Sequence, residues 1–260
     1  MEIVVLLKQV PDTESIISVA DDGVSIKTAD LKWVINPYDE FAVEEALQIR
    51  DANSGKVTIL TVGSDKATEA IRTALAMGAD EGVLINDPAI EGCDGLGTAR
   101  ILAAALKDIS YDLIIAGQRA VDDDNFLVGA AVAEYLGIPN ISMVNKQEIA
   151  DGKIKCQQTI EGGTVVLEAP LPALFTTQRG LNEPRYASLP GIMKAKKKPL
   201  ETKTLADIGL DASAVADPGA KTVSMQPPPA RQGGRVIEGE TAQEKVIELV
   251  KLLSEEAKVL

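Results

Sequence analysis

Four stretches of the chain are apolar almost without interruption over the length of a strand: "VVLL" at Val4–Leu7, "VTIL" at Val57–Leu60, "GVLI" at Gly82–Ile85 and "DLIIAG" at Asp112–Gly117. A strand with one wet face alternates; a run that does not alternate is buried on both faces, as in a parallel sheet covered by helices. The segments between the runs carry helix punctuation. "NPYDEFAVEEALQIRDANSG" puts Asn36 at the N-cap, Pro37 at the first helical position, acids in the first turn and Gly55 past the end. Its apolar residues Phe41, Val43, Ala46, Leu47 and Ile49 predict one buried face. "SDKATEAIRTALAMGAD", "GTARILAAALKDIS" and "FLVGAAVAEYLGIP" follow the same plan. Strand, helix, strand, helix predicts right-handed crossovers: an α/β fold with an open, mostly parallel sheet and helices on both faces.

After Pro139 the texture changes. "ISMVNKQEI", "IKCQQTI" and "TVVLEAPLPALFTT", joined by "DGK" and "GG" turns, read as antiparallel hairpin strands added to the sheet or beside it. The nucleotide-binding domain is expected to span residues 1–198, and residues 199–260 to form a Pro- and Gly-rich C-terminal arm ending in a helix. Thr241 and Glu244 make a capping box for that helix, and Val246, Leu249, Val250 and Leu253 form an apolar stripe. A stripe tethered by a long irregular arm predicts burial against a partner subunit.

Composition removes several functions. The formal net charge is -13, and cations cluster in one short segment only, so no nucleic-acid partner is expected. No stretch approaches the ~20 apolar residues of a membrane span, and the apolar start lacks a basic flank and a cleavage pattern. A protein that is not membrane-embedded, residing in a prokaryotic cytoplasm or, in a eukaryote, the mitochondrial matrix, is the expectation. The chain has no histidine, which excludes Ser/His/Asp triads and HExxH metal sites. Cys93 and Cys156 are far apart and form no CxxC pair, so no metal site is expected. Catalysis, if any, must rest on carboxylates, Lys, Cys or a cofactor.

Three strand-to-helix junctions share the edge of the sheet where open α/β proteins bind ligands. They are "NPYD" at Asn36–Asp39, "TVGSD" at Thr61–Asp65 and "GQRAVDDDNFLVG" at Gly117–Gly129. The third leads into a helix whose first N–H groups can receive an anion, a nucleotide phosphate being the natural candidate. Its consecutive aspartates repel phosphate, so phosphate must lie on the amides beyond them. Read as structure alone, each junction is a capped, solvated turn. "GLGTAR" at Gly95 lacks a third glycine and a preceding strand, which makes it a poor dinucleotide fingerprint; there is no P-loop.

"LNEPRYASLPGIMKAKKKP" at Leu181–Pro199 concentrates charge against the balance of the chain. Arg179, Arg185, Lys194, Lys196, Lys197 and Lys198 face Glu183 alone. Its three prolines and scattered apolar residues predict an exposed loop. Solubility does not require such a cluster in a strongly acidic chain.

"NPYDEFAVEEAL", "IRTALAMGAD", "AVDDDN" and "LNEPRYASLPGIMKAKKK" together resemble the beta subunit of electron transfer flavoprotein, over nearly the whole chain. The resemblance implies an adenine nucleotide alpha-hydrolase-like α/β domain. It also implies an alpha-subunit partner that holds most of a shared FAD, and an AMP buried in this chain. Carried over by position, the AMP pocket falls on Leu6, on Asn36, Pro37, Tyr38 and Asp39, on Val62, and on Gly117, Gln118, Arg119, Ala120, Val121, Asp122, Asp123, Asp124, Asn125, Phe126, Leu127 and Val128. Tyr38 stands where the family places an aromatic close to the flavin. Phe126, Leu127 and Val128 replace the polar Asn-Gln-Thr that would touch phosphate, leaving backbone donors alone.

A branch of the family holds a second FAD in place of AMP and bifurcates electrons from NADH; it resembles "DGDTAQVG" at this point. This chain shares Val128 and Gly129 with that branch but has Asp123 for its glycine and Asn125 for its threonine. The resemblance also implies that the basic segment docks onto acyl-CoA dehydrogenase-type flavoenzymes, with Leu189 as apolar anchor. Arg185, Tyr186, Pro190, Ile192, Met193, Lys194 and Lys197 are then partner-binding. Electrons would pass on to a quinone reductase or another acceptor, so the implied role is that of an electron carrier subunit with no catalytic side chain of its own. Two alternatives remain beside this carrier: an NADH-oxidising bifurcating subunit, and a stand-alone nucleotide-binding module of the universal-stress type.

Overall fold

The computed structural model describes residues 1–216, 218–230 and 233–260. They fall into two compact units, Met1–Met225 and Gln226–Leu260. In the first unit β1 (Glu2–Leu6) leads through a small antiparallel pair, β2 (Gln9–Pro11) and β3 (Trp33–Ile35), into α1 (Pro37–Asn53). Then come β4 (Lys56–Val62), α2 (Thr68–Met77), β5 (Glu81–Ile85), α3 (Gly95–Leu106), β6 (Leu113–Gly117) and α4 (Val128–Leu136). The β-rich part supplies β7 (Asn140–Ala150), β8 (Lys153–Ile160), β9 (Gly163–Pro170) and β10 (Ala173–Thr177), followed by α5 (Leu189–Ala195) and β11 (Leu200–Lys203). The second unit carries α6 (Ala242–Glu255).

The main sheet has nine strands in the order β11-β5-β4-β1-β6-β10-β7-β8-β9. Every pair from β11 to β7 is parallel, and β7-β8-β9 pair antiparallel. The hairpin strands therefore extend the sheet itself. The apolar run ending in "ALFTT" is split: β9 forms the outer edge, while β10 returns to the middle, fully buried between β6 and β7.

The uninterrupted runs have the cause that their composition predicts. In β1, Ile3 and Val5 pack into the core under α1 and α2, and Val4 and Leu6 into the core under α3 and α4. β6 divides the same way, Leu113 and Ile115 against Ile114 and Ala116. Each such side chain contributes about 1.5–3 kcal/mol on burial, so a polar residue at either parity would be costly.

Three local readings need correction. α1 buries Ala42, Val43, Ala46, Leu47 and Ile49, while Phe41 is only half-buried and Glu44 and Glu45 are buried beside them. Asn36 occupies the N-cap position, but its side chain makes no capping bond. The basic loop contains the helix α5: the Ser188 side chain caps it by accepting from Gly191 N, Pro190 lies in its first turn, and Ala195 is buried. Period alone could not reveal seven residues whose helical state depends on a cap and on packing against α2.

The compact first unit continues past Lys198, because β11 pairs with β5 and the chain to Met225 stays with it. In the second unit the described residues before Thr241 form no helix or strand; Arg231 and Gln232 lie outside the described residues. The capping box of α6 is formed, with Glu244 N donating to Thr241 Oγ1 at 3.2 Å. No residue of α6 is buried. Among the described residues, no helix is long and apolar enough to cross a membrane.

Candidate functional site

β4 and β5 run out from β1 on one side and β6 on the other, so the crossovers reverse direction between β1 and β6. A crevice opens at such a switch point, beyond the carboxyl ends of the strands. Here a cleft of about 1400 Å³ is lined by Leu6, Leu7 and Lys8 after β1, Val62 at the end of β4, and Gly117–Ala120 after β6. Ligand pockets commonly hold ~300–1,000 Å³, so this one is ample for a nucleotide.

One carboxylate ties the Asn36–Asp39 and Gly117–Gly129 junctions to the end of β1, while the Thr61–Asp65 junction contributes Val62 to the cleft. Asp39 is buried in the first turn of α1; its Oδ2 accepts from Lys8 N at 2.7 Å, and its Oδ1 accepts from Gly117 N and Asn36 Nδ2, each at 3.0 Å. Burial pushes the Asp39 carboxyl up to about 7 against the pull of these donors. Gly117 is required by the same contact: a Cβ there would lie 2.3 Å from Asp39 Oδ1 and 2.8 Å from Tyr38 Cβ. Asn36, freed from capping, spans to the next loop. Its Nδ2 donates to Arg119 O at 2.9 Å and its Oδ1 accepts from Val121 N at 3.1 Å.

The Gly117–Val128 loop is strained and clasped. Asp124 and Phe126 have φ of 54° and 55°, left-handed values that cost non-glycine residues about 1–3 kcal/mol each. Arg119 holds them: Nη1 donates to Asp124 Oδ1 at 2.6 Å, Nη2 donates to Tyr38 Oη at 3.0 Å, and the guanidinium carbon lies 5.1 Å from both the Tyr38 and Phe126 ring centres. Lys8 Nζ bridges the other two acids, 2.9 Å from Asp122 and 3.2 Å from Asp123. Burial alone would lower the Lys8 ammonium, but these carboxylates outweigh it and raise it.

The aspartates are thus engaged in holding the loop, where Lys8 and Arg119 offset two of their three charges; Asp123 still lines the cleft, so an anion would have to lie beyond it. There α4 begins, and its first-turn N–H groups at Val128, Gly129 and Ala130 have no carbonyl within the helix to bond. The side chain of Gln118, 8% exposed, lines the same cleft with its Oε1 unpartnered.

Of the expected pocket residues, Leu6, Asn36, Asp39, Val62, Gly117, Gln118, Arg119, Ala120, Asp123, Asn125, Leu127 and Val128 line the cleft. Pro37, Tyr38, Val121, Asp122, Asp124 and Phe126 do not; they support its wall or face away. Sequence reasoning missed the opposite wall, Pro88–Leu96 with Thr98, and the cover, Pro218–Thr222 with Ala212 and Val215. Asp94 joins those two: its Oδ1 caps α3 by accepting from Gly97 N and its Oδ2 accepts from Gly219 N, both at 2.8 Å. The only local signal was "DGLG", a capped helix start. Cys93 lies in this wall, and burial pushes its thiol up; burial drives the Cys156 thiol to about 12. Among the described residues, no group of three or more His, Cys, Asp or Glu side chains could hold a metal ion.

The second candidate surface is the basic segment. Tyr186, Leu189 and Met193 are 98%, 80% and 73% exposed, with Ile192 beside them and Pro190, Lys194, Lys196 and Lys197 also exposed. Two cations are committed elsewhere. Arg185 makes a bidentate pair with Glu44, Nε to Oε2 at 2.7 Å and Nη2 to Oε1 at 3.0 Å. Burial would raise the Glu44 carboxyl, but the bonds from Arg185 and Gln48 hold it below its ordinary value. Lys198 donates to Leu75 O and Ala79 O at the carboxyl end of α2, and its burial lowers the ammonium. It is a helix cap, not a steering charge.

Fold and cleft define an open α/β protein with a ligand site at its topological switch point. The profile of the Electron transfer flavoprotein domain matches residues 24–208. The chain is 42% identical over 266 residues to the Electron transfer flavoprotein subunit beta of Bacillus subtilis (strain 168), covering 100% of both chains. It is 42% identical over 258 residues to that subunit of Mycobacterium bovis (strain ATCC BAA-935 / AF2122/97), covering 95% of this chain and 97% of the relative. For the Bradyrhizobium diazoefficiens (strain USDA 110) subunit the identity is 38% over 262 residues, with 100% of both covered. The chain belongs to the electron transfer flavoprotein family, as a beta subunit.

Proposed function

We propose that the chain pairs with an alpha subunit to form an electron-carrying heterodimer that shares one FAD between the subunits. It takes electrons from acyl-CoA dehydrogenase-type flavoenzymes and passes them to a quinone reductase or similar acceptor. AMP is the proposed occupant of the cleft. The observation that carries this reading is the convergence of the strand ends at Leu6–Lys8, Val62 and Gly117–Ala120 and the helix start at Asn36–Asp39 on one cleft at the switch point.

The residues present fit an adenylate. Phosphate would rest on the first-turn amides of α4, where Leu127 and Val128 supply no side-chain donor. Gln118 Oε1 offers a buried acceptor to an exocyclic amine or a hydroxyl. A bound flavin supplies the electron chemistry; this chain binds, orients and excludes water. Tyr186, Leu189, Ile192 and Met193 would fill an apolar pocket on a partner, and Lys194, Lys196 and Lys197 would steer the encounter toward an acidic surface. The exposed stripe of Val246, Ile247, Leu249 and Val250 on α6 suits burial on the alpha subunit and counts against a stand-alone module.

The size of the cleft favours one second reading, a second FAD in place of AMP with NADH as donor. The two readings separate in a stopped-flow experiment on the co-expressed heterodimer. Flavin reduction by an acyl-CoA dehydrogenase and its substrate, and none by NADH alone, supports the carrier. Direct reduction by NADH supports bifurcation, and reduction by neither overturns both.

A further inference from the structure

The exposed docking row sits on a segment that is fastened at both ends to buried groups of the main domain. At its start, Asn182 Nδ2 donates to Glu45 Oε2 at 2.8 Å and to Phe41 O at 3.0 Å, and Arg185 takes both oxygens of the buried Glu44. At its end, Arg72 Nη1 donates to Ala195 O at 2.6 Å and to Lys198 O at 2.8 Å, while Lys198 reaches back to the end of α2. Between these posts, Gly191 lets α5 press onto α2: a Cβ there would lie 2.4 Å from Ala76 O. A helix of seven residues does not persist in water on its own propensity. Its order must come from these attachments.

We propose that Glu44, Glu45, Arg72 and Lys198 are positioning residues, which hold Tyr186–Met193 in the partner-ready conformation before any partner arrives. The inference rests on the docking role assigned to that row. Two buried glutamates on the apolar face of α1 and a half-buried lysine do not line the cleft, and this role explains why they are kept. An exposed anchor on a mobile loop loses ordering entropy at each encounter, and a pre-ordered one does not. The cost of losing the mount falls on association, leaving the transfer step alone.

The test uses the co-expressed heterodimer and a purified acyl-CoA dehydrogenase that reduces the wild-type heterodimer. The heterodimer concentration is varied in steady state, and amide exchange is followed over residues 186–198. Glu44→Gln and Arg72→Ala, neither of which alters the exposed row, should raise KM for the heterodimer by about 3- to 10-fold, the range of ~0.5–1.5 kcal/mol per ordered side chain. They should leave kcat and flavin content unchanged and speed exchange in the segment, and Arg72→Lys should recover part of the loss. Leu189→Ala should raise KM without changing exchange. Faster exchange with unchanged KM overturns the positioning role while the docking role stands. An unchanged KM in Leu189→Ala, or a wild type that no acyl-CoA dehydrogenase reduces, overturns the docking role itself.

Discussion

The cleft and the docking row solve opposite problems with the same tool. In the cleft, side chains such as Asp39 and Asn36 are spent on fixing backbone, so that amides and one orphan amide oxygen face the ligand. On the docking row the reverse holds: buried Glu44 and Glu45 and half-buried Arg72 and Lys198 fix the backbone so that Leu189, Tyr186 and Met193 face outward. A small, invariant ligand can be read by backbone geometry. A protein partner needs apolar anchors in a set pose. In both places the charged residues work inward, and the recognising surface carries little buried charge.

The comparison breaks most visibly at Gly117. In Gly117→Val the new side chain must displace Asp39 or the start of α1, so stability should fall by about 3 kcal/mol or more, with the cleft nucleotide lost. Thermal unfolding and nucleotide content check both effects; the docking row should keep its amide protection.

Asp39→Asn sets an amide donor against the donors around it and should cost about 1–3 kcal/mol. Because burial raises the folded carboxyl to about 7 from an ordinary value of 3.8, the folded state binds the extra proton between those limits. Wild-type stability relative to Asp39→Asn should therefore fall as pH rises from about 4 to about 7 and level off above. A flat difference in denaturant midpoints across that range would refute the assignment.

A smaller effect, confined to the other region, is expected of Leu189→Ala: about tenfold weaker association with an acyl-CoA dehydrogenase, as losing ~1.4 kcal/mol of anchor implies, with bound flavin unchanged. The smallest should come from Lys194→Gln with Lys197→Gln, a few-fold slower association that vanishes at high salt. Lys198→Gln should act differently, loosening α5 at every ionic strength, because its ammonium caps α2.

What could be read from the sequence follows the range of the forces involved. The strand runs, the alternation with helices and the α6 capping box are local patterns, and they stand in the structure; of the junction residues, those such as Asn36, Asp39 and Gly117–Ala120 reach the cleft while Pro37, Tyr38, Val121, Asp122, Asp124 and Phe126 do not. What escaped depends on contacts across the chain. Glu44 and Glu45 look like solvated charges on a helix, and become buried only because Asn182 and Arg185 arrive from some 140 residues away. α5 reads as a loop because its order comes from Arg72 and Ser188 more than from period. Pro88–Leu96 and Pro218–Thr222 read as plain connections, and only the strand order brings them over the switch point.

If AMP occupies the cleft between the ends of β1 and β6 as proposed, the heterodimer carries an adenine nucleotide in addition to the flavin shared with the alpha subunit. Denaturing the purified heterodimer and quantifying the released nucleotides by chromatography tests it most directly. The account predicts two adenine moieties per heterodimer, one FAD and one AMP, with the AMP gone in Gly117→Val. One FAD and no second adenine nucleotide, in wild-type protein purified without dialysis, would contradict it.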